Sequence, residues 1–162
     1  MNVFEAIKYI EEQVSHPEIG LPEEIFHFVS RHVPMVNVDL LIKDENKRTL
    51  LAWRDDEFAG TGWHIPGGII RFKEKLETRI KKTAENEIGA IIKYDPEPLA
   101  INQVICQQDT RGHFISLLYK CFLPGNFVPI NNLTENEPGY LKWHDYCPDN
   151  LVHVHDMYRK YI

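Results

Sequence analysis

The sequence predicts a mixed α+β domain. Three observations carry this: strand-like runs separated by turn signals, a glycine-bracketed helix of about 16 residues in mid-chain, and an amphipathic helix at the N-terminus. Phe4, Ile7, Ile10 and Val14 recur at helical spacing, so residues 2–15 read as a helix that stops before Pro17. Leu21-Pro22-Glu23-Glu24 has the form of a second helix start, with an early proline and acids in the first turn. Residues 1–32 are therefore expected to form a helical extension, an appendage or a dimer contact, and residues 33–162 the main domain.

Met35–Ile42 reads as a strand, residues 45–48 as a turn, and Thr49–Arg54 as a second strand. A loop at residues 60–62 leads through Trp63-His64-Ile65-Pro66-Gly67-Gly68 to a short strand, Ile69–Phe72, and then to the long helix. Ile91–Tyr94, Leu99–Gln107 and His113–Leu123 follow as strands. Residues 124–139, rich in proline, glycine and asparagine, read as a long surface loop of the kind that often carries function. Tyr140–His144 is the last strand, and Leu151–Tyr161 a closing helix. No internal repeat interrupts this order.

Composition narrows the function classes. A chain of 162 residues fits one domain that buries roughly two-thirds of its unfolded surface. It is 43% hydrophobic, with no apolar run near the ~20 residues of a membrane span and no cationic, cleavable start, so a cytoplasmic address is expected. A net charge of −6 argues against broad nucleic-acid binding, which wants a basic face. Cys106, Cys121 and Cys147 are odd in number and widely spaced, which fits neither a disulfide framework nor a zinc site.

Chemistry concentrates in Gly68-x5-Glu74-x7-Lys82-Thr83-Ala84-Glu85-Asn86-Glu87-Ile88-Gly89-Ala90. Leu76, Ile80, Ala84 and Ile88 form a buried stripe, and Gly89 suits a left-handed helix end. Thr83 and Glu87 lie one turn apart on a shared face. A carboxylate there, beside the backbone carbonyls of Gly67-Gly68, is a seat for Mg²⁺, or for Mn²⁺, which accept a few oxygen ligands and leave places for water and phosphate. Glu74 is expected to anchor the loop and first helical turn, and Glu85, on another face, to be solvated. Asp39, an acid amid Val38 and Leu40, should be paired or functional.

This spacing resembles the signature of the Nudix hydrolases, G-x5-E-x7-R-E-U-x-E-E-x-G-U with U apolar. The entry through Leu50-Leu51-Ala52-Trp53-Arg54 and Trp63-His64-Ile65-Pro66-Gly67-Gly68 is also similar to that family, over residues 34–144. The chain departs from the signature at Lys82, Thr83 and Asn86, and these losses resemble those of the GDP-mannose mannosyl hydrolases, as does Val36-Asn37-Val38-Asp39-Leu40. The resemblance implies a mixed sheet sandwiched between helices and Mg²⁺-dependent hydrolysis of a nucleoside diphosphate sugar, with water attacking the anomeric carbon. It places the metal on Gly67, Glu87 and Glu137, and the diphosphate on Arg54; Arg71, two residues beyond Ile69, and Asp39, the acid in its apolar strand, are the further substrate-binding candidates. Glu87, Arg54 and Glu137 are then the candidate catalytic residues. Pro138 stands where that branch has its histidine base, and Ile69 where it has an arginine, so the base stays open among Glu135, Glu137, His113 and His144. The alternatives are a nucleoside diphosphate sugar pyrophosphatase attacking phosphorus and a catalytically inactive ligand-binding module. The partners expected are a nucleotide sugar and a second copy of the chain; His153 and His155, two apart on a helix, make no metal pair.

Overall fold

Unbroken burial along two central strands sets the architecture. In the computed structural model, which describes residues 2–130 and 132–162, β1 (Met35–Lys43) and β2 (Thr49–Asp56) are buried through Val38–Ile42 and Thr49–Trp53. Val38, Leu40, Ile42, Leu50 and Ala52 join one apolar layer, while Leu41, Leu51 and Trp53 join another. Successive side chains leave a strand on opposite faces, so this parity means that the sheet is covered on both sides. The first layer is closed by Ile80, Ala84 and Ile88, and the second by Leu151 and Tyr158.

Eight strands form one mixed sheet among the described residues: β1 and β2, then β3 (Gly60–His64), β4 (Gly67–Ile69), β5 (Lys93–Tyr94), β6 (Ala100–Ile105), β7 (His113–Phe122) and β8 (Leu141–His144). β1 runs parallel to β7 over nine residue pairs, while β4 takes the N-terminal part of its other edge, pairing Asn37–Asp39 with Ile69–Gly67. β2 carries β3 and β8, both antiparallel. The sandwiched mixed sheet expected from the sequence is thus the observed fold.

Several boundaries moved. The long helix does not start at Lys73: Lys73 has φ 57° and Lys75 is extended, so α3 spans only Leu76–Thr83 (the helix numbered after the two N-terminal ones). It continues as a π-helical turn, Ala84–Ile88, stopped by Gly89 at φ 71°. The glycines of residues 60–62 lie within β3 instead of a loop, because β2 pairs with them. The strand expected at Ile69–Phe72 is β4, which ends at Ile69. The closing helix shrinks to a 3₁₀ helix, His153–Tyr158, because Trp63 binds Asn150 O and Val152 N–H and holds that stretch extended against β3.

At the N-terminus, α1 (Val3–Glu12) begins with a capping box between Asn2 and Glu5, and none of its residues is buried. α2 (Glu23–Ser30) meets the β6–β7 connection, where Ser30 Oγ accepts the Arg111 N–H at 3.2 Å. No described helix is long and apolar enough to cross a membrane.

Candidate active site

The glycine loop and the end of the long helix are locked together by close approach. A Cβ on Gly68 would lie 2.4 Å from Thr83 Oγ1, and one on Gly67 2.3 Å from Asp39 Oδ1, so both positions exclude a side chain. Leu40 N–H binds Pro66 O and Ile70 N–H binds Val36 O. That alternation turns the Gly67 N–H and C=O away from β1. The N–H meets Glu87 Oε2 at 3.3 Å, and the half-buried Glu87 carboxylate lies 3.8 Å from His64 Nε2. Thr83 and Glu87 therefore do share a face, each set against one glycine.

Glu74 holds this loop, although through different partners from the expected helix dipole. Its carboxylate, 4% exposed, accepts the Arg71 N–H at 3.0 Å and two bonds from Arg79, with Lys82 Nζ 3.4 Å away. Burial alone would raise its pKa, but these donors outweigh burial and hold it below the usual carboxylate range.

Asp39 is buried and fully engaged. Tyr158 donates to its Oδ2 at 2.5 Å, Asn37 Nδ2 to its Oδ1 at 2.7 Å, and Ser116 Oγ to Asn37 Oδ1 at 2.8 Å. Burial pushes its pKa up to about 7 against these hydrogen bonds, and the Glu87 charge adds to the rise.

Gly67, Gly68, Thr83, Glu87 and Asp39 line a cleft of about 780 Å³ that also takes in Arg54, Arg71, Arg79 and Arg111. Arg54 is paired with Asp56. Arg71 lies in the loop beyond β4, packs beside Gly20, and has a buried Nε without a partner. Glu137 is exposed and accepts the Thr134 N–H and hydroxyl; its neighbours Pro138 and Gly139 line the cleft and Glu137 does not. The cleft thus gathers Gly67, Glu87, Asp39, Arg54 and Arg71, with Glu137 at its margin.

Of the open base candidates, Glu135 binds Lys142, His113 contacts Gln103, and His144 packs on Trp63 at 4.4 Å, none of them lining the cleft. Two other histidines do line it. His155 accepts the Ile65 N–H through Nδ1 at 3.1 Å and is kept neutral by burial, and His64 faces Glu87. Sequence reasoning missed His64, Arg79 and Arg111. Arg79, five positions after Glu74, and His64, within the Trp63–Gly68 stretch, each lay inside a motif, whereas Arg111 lay in none.

Among the described residues no group of three or more His, Cys, Asp or Glu side chains gathers as a metal cage. The oxygen atoms that could hold a metal here are the Glu87 carboxylate, the Gly67 carbonyl and Thr83 Oγ1, which is buried without a hydrogen-bond partner. Such a sparse oxygen set fits Mg²⁺ or Mn²⁺ held jointly with substrate phosphate and water.

No protein-family model matches the chain. The low-salt glycan biosynthesis protein Agl8 of Haloferax volcanii is 25% identical over 142 residues, covering 83% of this chain and 90% of that protein. Among solved structures, a possible asymmetric diadenosine tetraphosphate hydrolase from Jonesia denitrificans superposes with a TM-score of 0.62 at 21% identity, over 80% of this chain and 92% of that one. A MutT Nudix hydrolase from Burkholderia pseudomallei gives 0.62 at 20% identity, over 81% and 99%. The Nudix domain of NrtR from Shewanella oneidensis, complexed with ADP-ribose, gives 0.50 at 16% identity, over 89% and 83%. The fold is that of the Nudix hydrolases.

Proposed function

We propose that this Nudix-fold chain hydrolyses a nucleoside diphosphate sugar at the sugar's anomeric carbon, in the cytoplasm. One observation carries the reading: Glu87 is the carboxylate set against the Gly67 loop, while Thr83 and Asn86 stand where the Nudix signature has two more. Attack at phosphorus in that family generally recruits those missing carboxylates, whereas a departing diphosphate needs less. Mg²⁺ bound at Glu87 and Gly67, with Glu137 as a further ligand if its loop turns inward, would supply charge neutralisation for the leaving group.

The side chains do the rest. Arg54 and Arg71 orient the diphosphate, and Asp39 borders the space beside it. We assign His64 to accept the proton of the attacking water. The water oxygen bonds to the anomeric carbon, the bond from that carbon to the phosphate oxygen breaks, and its electron pair leaves with the diphosphate. Hydrolysis in ¹⁸O-labelled water with Mg²⁺ tests this: label in the free sugar supports it, and label in a phosphate makes the chain a pyrophosphatase. Nucleotide-sugar binding without turnover would leave a ligand-binding module.

The same reading includes a homodimer. Phe4 and Ile7 are 75% and 51% exposed on α1, and water disfavours an uncovered apolar helix face. Light scattering at micromolar concentration should give twice the chain mass; a clean monomer contradicts it.

A further inference from the structure

The far end of the cleft differs in chemistry from the Glu87 end. Phe58, Val104 and Phe114 are its apolar lining, and Arg111 and Gln108 are two of the polar side chains beside them. Arg111 has φ 57°, with its N–H bound by Ser30 of α2, and its guanidinium lies 4.5 Å from the Phe58 ring and 5.8 Å from Phe26. Its Nε is buried without a hydrogen-bond partner; burial and then the Arg54 charge act against its own charge, and the acid that opposes them, Asp56, is already held by Arg54. Gln108 Nε2 donates to Phe58 O at 3.2 Å, which leaves its Oε1 as the available acceptor. A rigid donor fork and a fixed acceptor thus stand together among aromatic rings.

Distance separates the Phe114 side of this corner from the Gly67–Glu87 end of the cleft. Leu118 lies beside Asp39, across β1 from Gly67, and Phe114 is four residues earlier on the same strand. At ~3.3 Å per residue that is roughly 13 Å, comparable to the reach of a nucleoside from its base to its second phosphate.

We propose that this corner is the nucleobase subsite, in which Arg111 and Gln108 select a base that presents a carbonyl beside a ring N–H, guanine or uracil, over adenine. The inference rests on the reading of the Glu87 end as a diphosphate site. Arg111 binds the carbonyl edge as a two-pronged donor, Gln108 Oε1 takes the ring N–H, and Phe58 and Phe114 bury the base faces. Adenine offers an amino group where Arg111 needs an acceptor, which leaves a desolvated cation unmatched.

Calorimetric titration of the full chain with GDP, UDP, ADP and inorganic pyrophosphate, each with Mg²⁺, tests it. GDP or UDP should bind at least tenfold tighter than ADP, the tighter of the two identifying a purine or pyrimidine site. Arg111→Met, which keeps the stem on Phe58, should weaken that nucleotide by about 10- to 100-fold and leave pyrophosphate unchanged. Gln108→Leu, which leaves the buried arginine in place, should reduce the same preference should Arg111→Met not fold. Equal affinity for the three nucleotides, or equal loss of pyrophosphate in Arg111→Met, overturns the subsite. Pyrophosphate binding without base preference overturns this inference alone; binding of neither pyrophosphate nor any nucleotide overturns the diphosphate reading as well.

Discussion

At the scale of single residues, Glu87 is the group on which the proposed chemistry turns. Under the proposed function, its amide isostere keeps the shape and removes a full negative charge from the side chain that would face a divalent ion, where Glu137 is the one further carboxylate proposed. Glu87→Gln should therefore lower turnover by ~10²–10⁴-fold, about 3–5 kcal/mol of transition-state stabilisation. Glu85→Gln, two residues earlier on the exposed side of the same turn, should stay near wild type. Steady-state kinetics of the pair decide it: equal losses, or none in either, make the helix end mere scaffold. Stability of both should change by no more than ~0.5 kcal/mol.

At the scale of elements, the loop between β4 and α3 depends on one buried acid. Glu74 and Arg79 side chains are 4% and 10% exposed, so removing one charge strands the other in a desolvated place. Glu74→Gln should cost about 3 kcal/mol, measured by urea unfolding, and should reduce activity because Gly67 and Gly68 lose their fixed seat. An unchanged midpoint would show that the loop holds its shape through Gly68 and Thr83 alone. The pattern of spacing already pointed to Glu74 as an anchor. It did not disclose the partner, because which arginine folds back depends on the left-handed turn at Lys73.

At the scale of the whole molecule, the second apolar layer sets the response to pH. Burial first, then the Lys142 charge, pushes the pKa of His144 down to about 4, with Glu135 and Asp145 opposing. An unfolded chain titrates this group near 6.5, so between about pH 6.5 and 4 the unfolded state binds a proton that the folded state refuses. Stability from His144 is thus lost as pH falls through that window, and buried His155 acts in the same direction. Asp39, raised to about 7, works oppositely, since the folded chain takes up its proton first. His144→Phe keeps a ring against Trp63 and removes one titration. The melting temperature of this variant should fall less than wild type between pH 7 and 5; an identical fall would mean that His144 is charged in the folded state.

The sequence by itself determined the mixed α+β class, the succession of long strands along the chain, and the glycine–helix unit that carries Glu87. Each of these is written in local periodicity or fixed spacing, which neighbouring residues enforce on one another. Only the tertiary structure decided that residues 60–62 pair as a strand, that the closing helix begins at His153, and that Tyr158 holds Asp39 across 119 positions. It also brought His64 to Glu87 and Arg111 to Phe58. Those contacts join segments far apart in the chain, and their partners are chosen by the shape and desolvation of a shared cleft, which no local pattern encodes.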